Sequence, residues 1–225
     1  MAEVVYVFDL DDTLYLERDY VKSGFEYVGT YAAAQFDVQG VAEYSWQLFE
    51  SGVRGQTFDL VALEFGLPSN SARILVEEYR HHRPSIELLP DSRAFLDSLR
   101  DQAAHTGLIT DGFGPGQRKK INALGLADYI DDLVVTGEFG PEWTKPSEKA
   151  FRLIESRWPP TATFIYFGDN PEKDFQAPSR LGWSVVRVRR EGGLHFAVKG
   201  DDDLLLTVDS FTSWAEEHRA RARIQ

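Results

Sequence analysis

The chain has 225 residues, of which 43% are hydrophobic and 13% aromatic, enough to build a core for one large domain or two small ones. Acidic residues outnumber basic ones 36 to 24, a formal charge of −12, and this balance argues against a surface that holds a nucleic acid polymer or an anionic membrane. Cysteine is absent, which excludes disulfides, thiolate zinc sites and a cysteine nucleophile.

In chain order, Val4–Phe8 comes first. It is an unbroken β-branched and aromatic run, which reads as a strand buried on both faces of a parallel sheet. Only Met1, Ala2 and Glu3 precede it and acids follow, so it lacks the basic region and the apolar stretch of about 7–15 residues that mark a secretory signal. No run approaches the roughly 18 apolar residues of a membrane span. A cytoplasmic protein is therefore expected.

Residues 15–89 then break the rhythm. Helical spacing covers Tyr20–Phe36, Val41–Ser51, Thr57–Phe65 and Ser69–Arg83, with Asn70 and Ser71 placed to cap the last of these. Four helices are too many for an ordinary strand–helix connection of about 2–6 residues. The stretch reads as a helical subdomain over the carboxyl edge of the sheet, the alternative being extra helices packed beside one core.

Beyond it, buried runs at Thr106–Thr110, Leu133–Val135, Thr163–Phe167 and Ser184–Val188 alternate with helical stretches at Asp91–Ala103, Gly116–Leu124, Pro146–Trp158 and Asp174–Leu181. This pattern predicts an α/β core from residues 1–14 and 90–225: a Rossmann-like, mostly parallel sheet with helices on both faces. Glu191–Asp203 reads as a surface loop, and Ser213–Gln225 as a charged amphipathic helix without chemistry.

Two acidic clusters follow buried strands: Asp9-Leu10-Asp11-Asp12-Thr13-Leu14, and Gly168-Asp169 through Asp174. Either cluster alone is explained by turn formation or helix capping. Together, at the sheet edge where α/β proteins bind ligands, they suggest a cage for a hard divalent cation such as Mg²⁺.

With these residues the chain resembles the haloacid dehalogenase superfamily of hydrolases, through four motifs in order between Val4 and Val188. They are Asp9, Asp11 and Thr13; Thr110 at a strand end; Lys145-Pro146; and Gly168-Asp169 with Asp174. The insert is similar to the helical cap of the phosphoglycolate-phosphatase and phosphomutase branch. The resemblance implies that Asp9 is the nucleophile forming an aspartyl-phosphate, and that Asp11 is the general acid and base. It further implies that Asp9, Asp11 (through its main-chain carbonyl) and Asp169 hold Mg²⁺, and that Thr110 and Lys145 bind the phosphoryl oxygens. Asp174 then holds Lys145 or a metal-bound water from the second shell. The expected substrate is a small phosphorylated metabolite, a sugar phosphate or nucleoside monophosphate, and the expected activity is that of a phosphatase.

Other readings share the scaffold: a phosphomutase, a haloacid dehalogenase, or an idle binding protein. The dehalogenase branch generally lacks the second aspartate of the first motif, present here as Asp11. Phosphonate hydrolysis needs a cap lysine, and Lys22 is the only lysine of residues 15–89. Aromatic residues of the insert, with Arg18 and Arg54 as anion contacts, are candidates for substrate recognition. The start Phe8–Tyr15 also looks like that of relatives acting on pyrimidine nucleotides.

The chain leaves the family pattern at three places. Asp111 stands where asparagine is usual, Lys173 where asparagine or aspartate is common, and Ala177-Pro178 where glycine-alanine is frequent. Asp111 is expected to turn outward, to orient its loop through backbone N–H groups and to pair with Arg118 or Lys119. Pro146 is expected to open a helix.

Overall fold

Six strands pair into one sheet in the computed structural model, which describes residues 3–199 and 205–222. They are β1 (Val4–Phe8), β2 (His105–Thr110), β3 (Asp132–Val135), β4 (Thr163–Gly168), β5 (Ser184–Val188) and β6 (Leu206–Val208). Their order is β3-β2-β1-β4-β5-β6, and every pairing is parallel. The order reverses between β1 and β4, so the loops leaving these strands splay apart and open a crevice at their carboxyl ends.

The chain divides into two compact units, one holding residues up to Arg18 and from Glu87 onward, the other Asp19–Ile86. In the α/β unit the period-2 pleat of β1 sends its side chains to two different cores. Val5 and Val7 join Ile109, Val134 and Tyr166, under Phe151 and Ile154 from α7 (Lys149–Glu155). Tyr6 and Phe8 meet Phe95, Phe211 and Trp214 on the opposite face, mostly edge to face. Phe95 lies on α5 (Pro90–Asp101), and Phe211 and Trp214 on α9 (Phe211–Ala222). Each such ring or branched chain removed from water contributes on the order of 1.5–3 kcal/mol, which is why these runs are apolar without interruption.

Most element limits shift by a few residues from the sequence reading, and two departures go further. Helix α7 begins at Lys149 rather than Pro146. The Lys145-Pro146 peptide is cis, these two residues form a turn, and Glu148 a bend ahead of the helix. Strand β6 falls just beyond the stretch read as a surface loop; its three residues at the sheet edge are too few for a period to register. The end of that loop, residues 200–203, and residues 223–225 of the last helix lie outside the described residues.

The helical unit contains most of α1 (Glu17–Phe36), then α2 (Val41–Glu50), α3 (Thr57–Glu64) and α4 (Ser71–His81). Phe25 packs with Phe49, Phe58 and Tyr79 at its centre. Asn70 does occupy the N-cap of α4, but its side chain makes no capping hydrogen bond. Arg54, one of the expected anion contacts, donates to the carbonyls of Phe49 and Val53 and lies over the Phe49 ring. The remaining helices, α6 (Gly114–Ala123) and α8 (Gln176–Arg180), belong to the α/β unit. Among the described residues no helix is long and apolar enough to cross a membrane.

Candidate active site

The first acidic loop is built by its own backbone. The Asp9 N–H donates to the Phe167 carbonyl at 2.8 Å, which continues the sheet register one residue past β1. The chain then closes a single turn, Leu14 N–H to Leu10 carbonyl at 3.0 Å. Asp12 takes a left-handed conformation (φ 53°) there, which aspartate tolerates better than most residues. Its carboxylate accepts from Glu17 N (2.8 Å) at the start of α1 and from Leu194 N (2.7 Å). Asp12 therefore holds the loop in place.

The turn leaves Asp9 buried beside a lysine. Lys145 Nζ lies 2.6 Å from Asp9 Oδ1, 2.7 Å from Asp174 Oδ1 and 3.0 Å from the Tyr166 hydroxyl. The side chains of Lys145 and Asp174 are wholly inaccessible to water. Burial alone pushes the Lys145 ammonium down, but Asp174 and Asp9 outweigh it and hold it well above the usual lysine value. Asp174 also accepts from Asn170 N at 2.9 Å. A Cβ on Gly168 would come within 2.7 Å of Asp174 Oδ2, so this approach requires glycine.

Asp169 completes the cluster. One carboxylate oxygen each from Asp9, Asp169 and Asp174 lies within 4.8 Å of the others. Burial, with the charges of Asp9 and Asp174, pushes the Asp169 carboxyl up to about 9. Burial also raises Asp9, against the pull of Lys145, to about 6.

Asp11 faces a different set of partners. Its carboxylate receives Lys120 Nζ at 2.7 Å, Gln117 Nε2 at 3.2 Å and the Tyr15 hydroxyl. Burial pushes this carboxyl up, but Lys120 and these hydrogen bonds win and hold it below the usual aspartate value. Lys120 and Gln117, both on α6, went unnoticed in the sequence. One helical turn apart, they face the site from the same helix as Arg118 and Lys119.

Thr110 ends β2 on the wall of a cavity of about 260 Å³ that Asp9, Asp11 and Asp169 also line. Its hydroxyl makes only a long contact, 3.5 Å, with the Asp111 carbonyl. The loop after it packs against Gly137, where a Cβ would sit 1.9 Å from the Gly112 carbonyl oxygen. Asp111 does not orient its own loop or turn outward as expected: it lines the cavity and accepts the N–H of Lys145, 34 positions on, at 3.2 Å and the Thr136 hydroxyl at 2.7 Å. The expected pairing with Arg118 is wrong, because Arg118 forms a two-bond pair with Glu138. The cation at Asp111 is Lys173, 3.4 Å away.

The stretch expected to be a surface loop also reaches the site. His195 lines the cavity, with Nε2 3.1 Å from Asn170 Nδ2, and burial holds its imidazole below the usual value. Buried Arg187 fixes this segment by donating to the carbonyls of Asp169, His195 and Val198. An arginine inside an otherwise apolar strand was the one sequence signal for this contact. Glu17 lines the cavity as well, and burial together with Asp11 raises its carboxyl to about 7.

The site fits a hard divalent cation. Asp169 is 6% exposed and its carboxylate has no hydrogen-bond or ion-pair partner among the described residues. Unpaired oxygen donors in a proton-loaded cluster are what Mg²⁺ replaces protons on. The carboxylate oxygens of Asp174 are taken by Lys145 and Asn170, which leaves Asp9 and Asp169 as the side-chain donors.

A sequence model of haloacid dehalogenase-like hydrolases matches residues 4–182, and the chain belongs to that family. It is 31% identical over 140 residues to a phosphoserine phosphatase of Thermus thermophilus, a match covering 61% of this chain and 55% of that one. It is 28% identical over 153 residues to a glyceraldehyde 3-phosphate phosphatase of Methanopyrus kandleri, covering 65% and 64%. The chain thus spans less than two thirds of the length of these two relatives. A pyrimidine 5′-nucleotidase of Escherichia coli, YjjG, is 28% identical over 181 residues, with 74% and 77% covered. Among solved structures, the HAD-hydrolase YfnB of Bacillus subtilis, bound to magnesium, superposes with a TM-score of 0.65 at 16% identity, covering 96% of this chain and 98% of that one. A 2-haloacid dehalogenase of Pseudomonas syringae gives 0.60 at 21% identity over the whole of both chains. At these identities the structures establish the fold.

Proposed function

We propose that the chain is a Mg²⁺-dependent phosphatase of a small phosphomonoester, acting through an aspartyl-phosphate on Asp9. The observation that carries this reading is the buried Asp9–Lys145–Asp174 cluster beside the unpaired Asp169, at the edge of a cavity. Asp9, Asp169 and the main-chain carbonyl of Asp11 are the groups to hold Mg²⁺, whose charge offsets the repulsion between an anionic nucleophile and an anionic substrate.

Asp9 attacks phosphorus, and the leaving oxygen departs with the bonding electron pair and takes a proton from Asp11. Asp11 then accepts a proton from the water that attacks the aspartyl-phosphate, so inorganic phosphate leaves and Asp9 is restored. The first half requires Asp11 protonated, with the proton that the preceding turnover's water leaves on it, and the second half requires the ionised form that Lys120 favours. We assign the phosphoryl oxygens to Thr110, which lines the cavity, and to Lys145, which is buried against Asp9, because negative charge spreads over those oxygens in the transition state. We assign residues 19–86 the part of a cap that selects the leaving group, because they enter the chain directly after the Asp9–Leu14 loop.

Phosphatase relatives favour this reading over a mutase or dehalogenase. The test is phosphate release from a panel of sugar phosphates, phosphoserine and nucleoside monophosphates, with Mg²⁺ and with EDTA, for wild type and Asp9→Asn. Activity is expected to need Mg²⁺ and to fall by several orders of magnitude in the variant. Undiminished release by folded Asp9→Asn overturns the mechanism.

A further inference from the structure

The two charged departures from the family's usual motif residues meet in space. Asp111 follows β2 and Lys173 follows β4, on opposite sides of β1 and 62 positions apart, yet Lys173 Nζ lies 3.4 Å from Asp111 Oδ2. Asp111 is itself fixed by the Thr136 hydroxyl and the Lys145 N–H, both on its Oδ1. An asparagine would accept those same two bonds. What it would lack is the charge on the oxygen that faces Lys173.

Lys173 differs from the other two lysines of the site. Lys145 and Lys120 are 0% and 5% exposed and are held at 2.6–2.7 Å by carboxylates. Lys173 is 34% exposed, and its distance to Asp111 is longer than the roughly 2.7–2.9 Å of a committed charge-assisted bond. An ammonium has three donors, and Asp111 is the only hydrogen-bond partner of this one among the described residues. Of the described residues lining the cavity, Lys173 is the only lysine or arginine, against the carboxylates of Asp9, Asp11, Asp12, Glu17, Asp111 and Asp169. A phosphoryl dianion entering this cavity meets one exposed side-chain cation.

We propose that Lys173 is a second cationic ligand for the substrate's phosphoryl oxygens and that Asp111 is the positioning residue that aims it. The inference rests on the phosphatase reading above. It reverses the expectation, natural from the motif alone, that Asp111→Asn is harmless because it restores the common residue.

The probe is inorganic phosphate, measured as a competitive inhibitor of p-nitrophenyl phosphate hydrolysis in Mg²⁺, with folding checked by circular dichroism and thermal melting. Lys173→Met is expected to raise the Ki for phosphate and the KM tenfold or more, and Lys173→Arg to recover most of that loss. Asp111→Asn is expected to raise both about threefold to tenfold, and the double variant to be no worse than Lys173→Met alone. A folded Lys173→Met with a Ki within twofold of wild type overturns the assignment. Losses that multiply in the double variant overturn the aiming role of Asp111. Should Lys173→Met fail to fold, an unchanged Ki in Asp111→Asn is the overturning result. A wild type that neither hydrolyses phosphomonoesters nor binds phosphate removes the phosphatase reading itself, whereas an active wild type indifferent to Lys173 removes this inference alone.

Discussion

The metal-free protein is expected to lose stability as pH rises from 5 to 7, and Mg²⁺ to remove part of that loss. The cause is the buried acid cluster. Asp169, ordinarily at 3.8, is raised to about 9, so across this interval the folded chain holds a proton that the unfolded chain has released. A carboxyl raised in this way contributes stability that is fully present below its ordinary value and is lost as pH climbs through its folded value. The slope is about 1.4 kcal/mol per pH unit for each extra proton held, or roughly 3 kcal/mol over two units for Asp169 alone.

Asp9 and Asp12, raised to about 6, add to the loss in the lower half of the interval, and Glu17, raised to about 7, across all of it. Asp11 is lowered, so its contribution changes only below about pH 4. His195, also lowered, works in the opposite direction up to its ordinary value of 6.5. One imidazole does not offset four carboxyls. Against a typical total of about 5–15 kcal/mol the loss is large. Saturating Mg²⁺ replaces the protons and stabilises by about 2.7 kcal/mol at a hundred times its Kd.

The measurement is urea unfolding followed by tryptophan fluorescence at pH 5, 6 and 7, in EDTA and in Mg²⁺. Asp169→Asn should raise metal-free stability at pH 7, flatten the slope and abolish the Mg²⁺ effect. Metal-free stability that is level or rising between pH 5 and 7, or a slope that Mg²⁺ leaves unchanged, refutes the account of the cluster.

Two further outcomes bear on the proposed reaction. Asp11→Asn should slow alkyl phosphates, whose leaving oxygen needs a proton, by at least tenfold more than p-nitrophenyl phosphate, measured as single-turnover rates; equal losses would leave Asp11 a merely structural role. Replacing residues 19–86 with a short Gly-Ser linker should raise KM for the best natural substrate at least tenfold more than for p-nitrophenyl phosphate. Unchanged selectivity in a folded product would show that these residues do not choose the leaving group.

The sequence by itself determined the sheet and the motif positions. Strands of a parallel sheet are buried on both faces, so Val4–Phe8 had to be a continuous apolar run and Ser184–Val188 a mostly apolar one, and both are found at those limits. The acids at the ends of β1 and β4 were legible for a related reason, since carboxylates directly after a buried run have few purposes at a sheet's carboxyl edge. The length of the helical stretch announced a second unit, because no ordinary connection needs four helices. Partner choice was decided only by the tertiary structure. Lys120 reaches Asp11 across 109 positions and Lys173 reaches Asp111 across 62, and no periodicity encodes such pairings. Asp111 was assigned to Arg118 or Lys119 because they are near in sequence, whereas the folded chain brings Lys173 to it from the loop after β4 and pairs Arg118 with Glu138. His195 entered the site for the same reason: Arg187 and Asp12 bind the backbone of its loop, and a backbone contact of that kind leaves almost no mark on the residues of the loop itself.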